Sequence, residues 1–153
     1  MGLTPGYPSS VDGPMAFPSQ AWFDEFRTHI NASDEYREAA ADWEGDIAFL
    51  IKAEPDKGVP TDVWGWLDLW HGECRGAGLI DEARASNAAY GITAPYTRWK
   101  DVLLGDLDPI KGMMQGKLKV RGDLPTIVRQ VRAATELVRL TGEVPTAFPD
   151  EAR

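Results

Sequence analysis

The stretch from Trp99 to Asp123, W-K-D-V-L-L-G-D-L-D-P-I-K-G-M-M-Q-G-K-L-K-V-R-G-D, leaves this chain few choices. Asp108 followed by Pro109 reads as a helix N-cap with proline at the first helical position, where a missing N–H costs nothing. Ile110, Met113 and Met114 then fall at i, i+3 and i+4 on one apolar face. Gly116 stops that helix, because glycine takes the left-handed cap without a Cβ penalty. Leu118 and Val120 alternate with Lys119 and Arg121, the period-two pattern of a half-buried strand. Gly122-Asp123 turns the chain and caps another helix. So short a helix–strand–helix passage must pack onto something larger.

The rest of the chain supplies it. Residues 1–18 hold Pro5, Pro8, Pro14 and Pro18 with three glycines and read as an irregular arm, which Tyr7, Met15 and Phe17 are placed to pin. Ser19 and Ser33 are N-cap candidates. Behind them run Trp22, Phe23, Phe26 and Ile30, then Tyr36, Ala39, Ala40 and Trp43, with Gly45 ending the second helix. Residues 46–53 read as a central strand, with Ile47, Phe49 and Ile51 on one face and Ala48 and Leu50 on the other. Residues 62–71 form a second strand, in which Trp64, Trp66, Asp68 and Trp70 share a face opposite Val63, Gly65, Leu67 and Leu69. Further strands are expected near 74–80, 88–94 and 118–121, with 81–87 as a loop. Helices are expected to open at Pro95 and at Asp123, the last running to Gly142 along a stripe of Leu124, Val128, Val131, Ala134 and Val138. Residues 143–153 read as a polar tail. Short turns between most strands imply an α+β fold: a five-stranded, mostly antiparallel sheet with about five helices packed on one face.

Within the opening stretch, Trp99, Leu103-x-Gly105, Asp108-Pro109, Met113-Met114, Gln115-Gly116-Lys117-Leu118-Lys119 and Gly122-Asp123 together resemble the sterol carrier protein 2 lipid-binding family, in its stand-alone prokaryotic form. The order of elements fits that family over Ser19 to Leu140, and Gly112 stands where alanine is expected. The resemblance implies a lipid-binding domain over 19–142 that encloses an apolar tunnel, needs no cofactor and carries no catalytic residue. Its ligand would be a fatty acid, fatty acyl-CoA or sterol-like molecule. Candidate lining residues, taken as large or adaptable side chains on expected inward faces, are Trp22, Phe26, Phe49, Trp66, Trp99, Leu103, Met113, Met114 and Val128. The alternatives are an accessory module that docks on a lipid-metabolising enzyme, or a lipid-directed enzyme with Asp68, set between Trp66 and Trp70, as acid or base.

Composition narrows the partners. A net charge of −8 argues against nucleic acid and against electrostatic docking to anionic membranes, leaving at most transient membrane contact. A homodimer or an enzyme partner is compatible with the sequence. A single cysteine, Cys74, forbids an internal disulfide and favours a reducing, cytoplasmic setting; there is no apolar run of membrane-spanning length, and the N-terminus lacks signal-peptide character. His71-x-Glu73-Cys74 looks like part of a metal site, but His29 is the only other histidine and no second cysteine exists, so no metal is expected. Cys74 reads as a small buried thiol rather than a nucleophile. Lys117, Lys119 and Arg121 form a basic strip that reads as the solvated face of an edge strand, or as a contact for an acidic headgroup or acyl-CoA phosphates.

Overall fold

A computed structural model describes residues 13–151. Tyr7, expected to help pin the arm, lies outside these residues. A five-stranded sheet carries the domain: β2 (Glu44–Lys52), β3 (Val63–Trp70), β4 (Glu73–Ile80), β5 (Tyr90–Pro95) and β6 (Lys119–Arg121), in the spatial order β4-β3-β2-β5-β6. The β2–β5 pair at its centre is parallel and the other pairings are antiparallel, so the sheet is mixed with an antiparallel majority.

Strand β2 makes the alternation of its sequence visible. Ile47 and Ile51 are buried beneath helices on one side, with Phe49 half-buried between them, while Ala48 points to the other side. On β3, Leu67 and Leu69 are buried on the inner face beside Gly65. That glycine is required by packing: a Cβ there would lie 2.3 Å from Cζ of Phe23, whose ring rests on the strand.

Six helices cover the inner face. α1 (Gln20–Asn31) and α2 (Asp34–Ala39) begin at Ser19 and Ser33, whose hydroxyls accept from the amides of Trp22 at 3.1 Å and Tyr36 at 2.9 Å. Helix α1 also closes the exposed edge of β4. Asn31 donates to the Cys74 carbonyl and accepts from its amide, Arg27 donates to the carbonyls of Cys74 and Arg75, and Gln20 pairs with Ala77 and Leu79. Side chains thus satisfy backbone groups that would otherwise invite another strand.

Segment 81–87, expected as a loop, instead holds α3 (Glu82–Ser86), capped by Asp81. It lies on the outer face of the sheet, where Ala85 and Ala88 pack on Ala48, Trp64 and Ile80; the helices are therefore not all on one side. α4 (Tyr96–Leu103) and α5 (Pro109–Met114) follow, the latter capped by Asp108 at the amides of Ile110 and Lys111. Gly112 has a packing reason: a Cβ there would meet Leu118 at 3.1 Å. Gly45 lies within β2 rather than ending α2, and its φ of 150° accommodates the Tyr90 ring, 2.9 Å from a Cβ built there.

The helix expected from Asp123 to Gly142 is two: α6 (Leu124–Val128) and α7 (Val131–Thr141), separated by Gln130 at φ −89°, ψ 47°. The bend turns Leu124 and Val131 outward and Ile127 and Leu140 inward. Both ends of the domain join the body. β1 (Met15–Ala16) pairs in parallel with β7 (Thr146–Ala147), and Met15, Phe17, Val144 and Phe148 are buried. Trp22 Nε1 donates to Thr146 Oγ1 at 2.8 Å. The residues around 144–148, read as a polar tail, therefore contribute to the core.

Candidate functional site

Between the inner face of the sheet and its helices lies an apolar cavity of about 150 Å³. Ile47, Phe49 and Ile51 of β2, Leu67 and Leu69 of β3 and Ile92 of β5 form its floor. The α1 wall is Trp22, Phe23 and Phe26, whose rings meet at centroid distances of 5.0 Å. Opposite stand Trp99, Val102 and Leu103 of α4, then Ile110 and Met113 of α5 and Ala134, Leu137 and Val138 of α7. Trp99 meets Phe49 edge-on at 5.6 Å and donates from Nε1 to the Leu50 carbonyl at 2.9 Å, so its indole is fixed at both ends.

Among the described residues, only two that line the cavity have polar side chains apart from the tyrosine and tryptophan rings. Thr141 is satisfied internally, its hydroxyl donating to the Val138 carbonyl at 2.6 Å. Gln130 sits half-buried at the α6–α7 bend. Leu103, Pro109, Ala134, Leu137 and Val138 are half-buried too, so the cavity approaches the surface where α4 ends, α5 begins and α7 passes over them.

Of the nine residues expected to line the cavity, Trp22, Phe26, Phe49, Trp99, Leu103 and Met113 do so. Three do not. Trp66 is on the outer face, donating to Asp46 at 2.8 Å and covered by the Arg84 guanidinium 4.3 Å above its ring. Met114 points to solvent and is 68% exposed. Val128 packs against the core but is off the cavity wall. Sequence reasoning passed over Ile47, Ile51, Leu67 and Leu69 as liners, although strand alternation places them on the faces of Phe49 and Gly65.

Asp68 shares the outer face with Trp66. Its carboxylate pairs with Arg75 at 3.1 and 3.2 Å, and it does not reach the cavity, which removes the geometry that an acid or base acting on a bound lipid requires. Cys74 is fully buried, with its thiol donating to the Gly76 carbonyl at 3.2 Å, and burial pushes that thiol up to about 11. Among the described residues, no group of three or more His, Cys, Asp or Glu side chains is placed to hold a metal ion.

Buried charge lies outside the cavity. Glu136 of α7 is 5% exposed, accepts from Ser33 at 2.7 Å and is gripped at 2.7 Å by two nitrogens of Arg139. Hydrogen bonding from Arg139 holds its carboxyl below the usual range against the opposing effect of burial. This ties α7 to the cap of α2. A second tie is Asp150, which accepts from the Tyr96 hydroxyl at 2.7 Å and from Lys100, fixing the last described turn against α4.

Residues 23–133 match the model of the SCP-2 sterol transfer family. The chain belongs to that family. A crystal structure of sterol carrier protein 2 is 38% identical, with a TM-score of 0.75 over 82% of this chain and 97% of that one. A protein of Thermus thermophilus described as possibly a sterol carrier protein is 37% identical, with a TM-score of 0.76 over 84% of this chain and 90% of that one. The apo form of sterol carrier protein 2 from Yarrowia lipolytica shares the fold at 20% identity and a TM-score of 0.56, over 82% and 92% of the two chains. No curated protein sequence matches this chain. Among the described residues, no helix is long and apolar enough to cross a membrane.

Proposed function

We propose that this protein binds a fatty acid, fatty acyl-CoA or sterol-like lipid in the cavity and carries it without chemical change. The observation that carries the reading is the wall itself: an apolar cavity interrupted by little more than Thr141 and Gln130, in a chain of a sterol transfer family. Affinity comes from burying ligand hydrocarbon, at about 25 cal/mol per Å² before ordering costs are subtracted. Such burial has little directionality, so chains of differing shape are accepted. The polar end of the ligand sits at the half-buried rim near Gln130, where a headgroup keeps its water. A cavity of about 150 Å³ is smaller than the roughly 300–1,000 Å³ of typical ligand pockets, so a long chain requires the helical wall to give.

Native mass spectrometry of the purified protein, followed by organic extraction, tests this directly. An acyl or sterol-like mass at one copy per chain is expected, together with saturable uptake of a fluorescent fatty acid. A protein that carries no lipid and takes up no fatty acid would refute it.

A further inference from the structure

The cavity has an open end and a closed one, and α4 runs between them. Leu103, the last residue of α4, stands at the half-buried rim, whereas Tyr96, its first, is fully buried. The helical rise sets the two ends about 10 Å apart. At the Tyr96 end the wall is finished by Phe17, 3% exposed, whose ring centroid lies 6.5 Å from that of Tyr96 and 4.9 Å from that of Trp22. Phe17 belongs to the arm ahead of α1. It precedes the stretch matched to the family, which begins at Phe23, so family membership does not by itself set this end of the cavity.

The ring is held from behind. The Phe17 amide donates to the Ala147 carbonyl at 3.0 Å and the Met15 amide to the Pro145 carbonyl at 2.8 Å, alongside the parallel β1–β7 pair. Phe148 is buried against Phe17 edge-on, with centroids 6.4 Å apart, and is itself off the cavity wall. The strap that carries Phe148 is pinned in turn: Thr146 accepts from Trp22, and Asp150 accepts from Tyr96 and Lys100. Lys100 also pairs with Glu151, and its ammonium lies 5.2 Å from the Phe148 ring centroid. The other end of the cavity is walled in part by α5 and α6, helices of six and five residues. A cavity that must widen for a long chain therefore widens there, while the densely packed Phe17 end keeps its place.

We propose that Phe17 is the stop against which the tail of a bound lipid comes to rest, so that this residue of the arm sets the longest straight chain the cavity buries in full. The inference rests on the carrier reading above, with the headgroup at the rim near Gln130. A tail entering there runs along α4 and ends on the Phe17 ring, which Trp22, Tyr96 and Phe148 keep from moving aside. Each methylene buried strengthens binding about fourfold. Affinity therefore climbs along a homologous series until the tail meets Phe17 and then levels off, because further carbons must buckle the chain or remain in water at the rim.

Competition of saturated fatty acids, from octanoic to eicosanoic acid, against a fluorescent fatty acid on the full chain tests the proposal. A break is expected at one chain length in the parent. Phe17→Ala should move the break to longer chains by about two to four carbons, because a whole phenyl ring goes and its surroundings only partly collapse. Phe17→Leu should move it the same way by a smaller step. Phe17→Trp, which adds bulk at the closed end, should move it to shorter chains. Circular dichroism establishes which variants are folded, and the opposite directions keep the test decisive if one of them is not. A residue that merely holds the fold together would change affinity for every length alike and leave the break in place. A break unmoved in the folded variants therefore overturns the stop while leaving the carrier reading intact. A parent that binds no fatty acid of any length refutes the carrier reading, and the stop with it.

Discussion

Gly65→Ala is the smallest substitution that probes the cavity wall. Phe23, 3% exposed, lays its ring on Gly65, and the new methyl would lie 2.3, 2.8 and 3.0 Å from three ring carbons. Ordinary carbon contacts are near about 3.5 Å, so the ring must retreat by roughly 1 Å. On one side it meets Trp22 edge-on at 5.0 Å; the cavity is the side that yields. Overpacking of this kind costs about 1–3 kcal/mol. Against it stands a gain of about 0.4–1 kcal/mol from the reduced freedom of the unfolded chain. The expected net loss is about 1–2 kcal/mol, measured by urea denaturation, together with weaker fatty-acid binding as the ring intrudes on the cavity. Phe23→Leu removes the ring that clashes, so the double variant should be more stable than additivity predicts by about 1 kcal/mol. A Gly65→Ala protein as stable as the parent, or a pair of substitutions that simply add, would refute the reasoning.

Met113→Trp should fill the cavity and abolish uptake of a fluorescent fatty acid in the folded protein, whereas Met114→Arg, at a side chain 68% exposed, should leave uptake in buffer unchanged. Glu136→Gln should cost about 1 kcal/mol, a value reduced because its partner Arg139 is 57% exposed. Because the folded carboxyl is held below its ordinary value of 4.5, the stability it lends is present above that pH and is lost as pH falls through the lower folded value; the acid limb of a stability–pH curve should flatten in the glutamine variant. Asn31→Ala leaves the Cys74 amide without its partner while Arg27 still serves the carbonyl, so a loss of about 1–3 kcal/mol is expected, with faster hydrogen exchange at that amide. Hydrogen exchange should also show α5 and α6 gaining more protection than α1 when fatty acid is added, since α1 is tied along the edge of β4 and the two short helices are not.

Periodicity worked where burial is one-sided. The faces of β2 followed from Ile47, Phe49 and Ile51, because a period of two assigns every side chain once any one is placed. The caps at Ser19, Ser33, Asp108 and Asp123 were legible for a similar reason: a side-chain oxygen two or three residues before an orphan amide acts locally and needs no tertiary partner. Of the six expected residues that line the cavity, Trp22 and Phe26 lie on α1 and Phe49 on β2, elements whose inward face the period of the sequence sets.

Residues whose fate depends on a partner far along the chain were not legible. The tryptophan row of β3 is apolar enough for either side of the sheet. What turns it outward is a competition that alternation leaves open: Leu67 and Leu69 fill the inner face, while Asp46, Arg75 and Arg84 supply the hydrogen bond and guanidinium covers that let indoles lie half in water. Val128 and Met114 failed through small rotations. A break at Gln130 redirects the α6 stripe, and Met114, the last residue of a helix only six residues long, faces away from Met113 and Ile110. Over so short a helix an i, i+4 spacing does not fix which edge of the stripe is buried; the neighbouring wall does, and here that wall is α7.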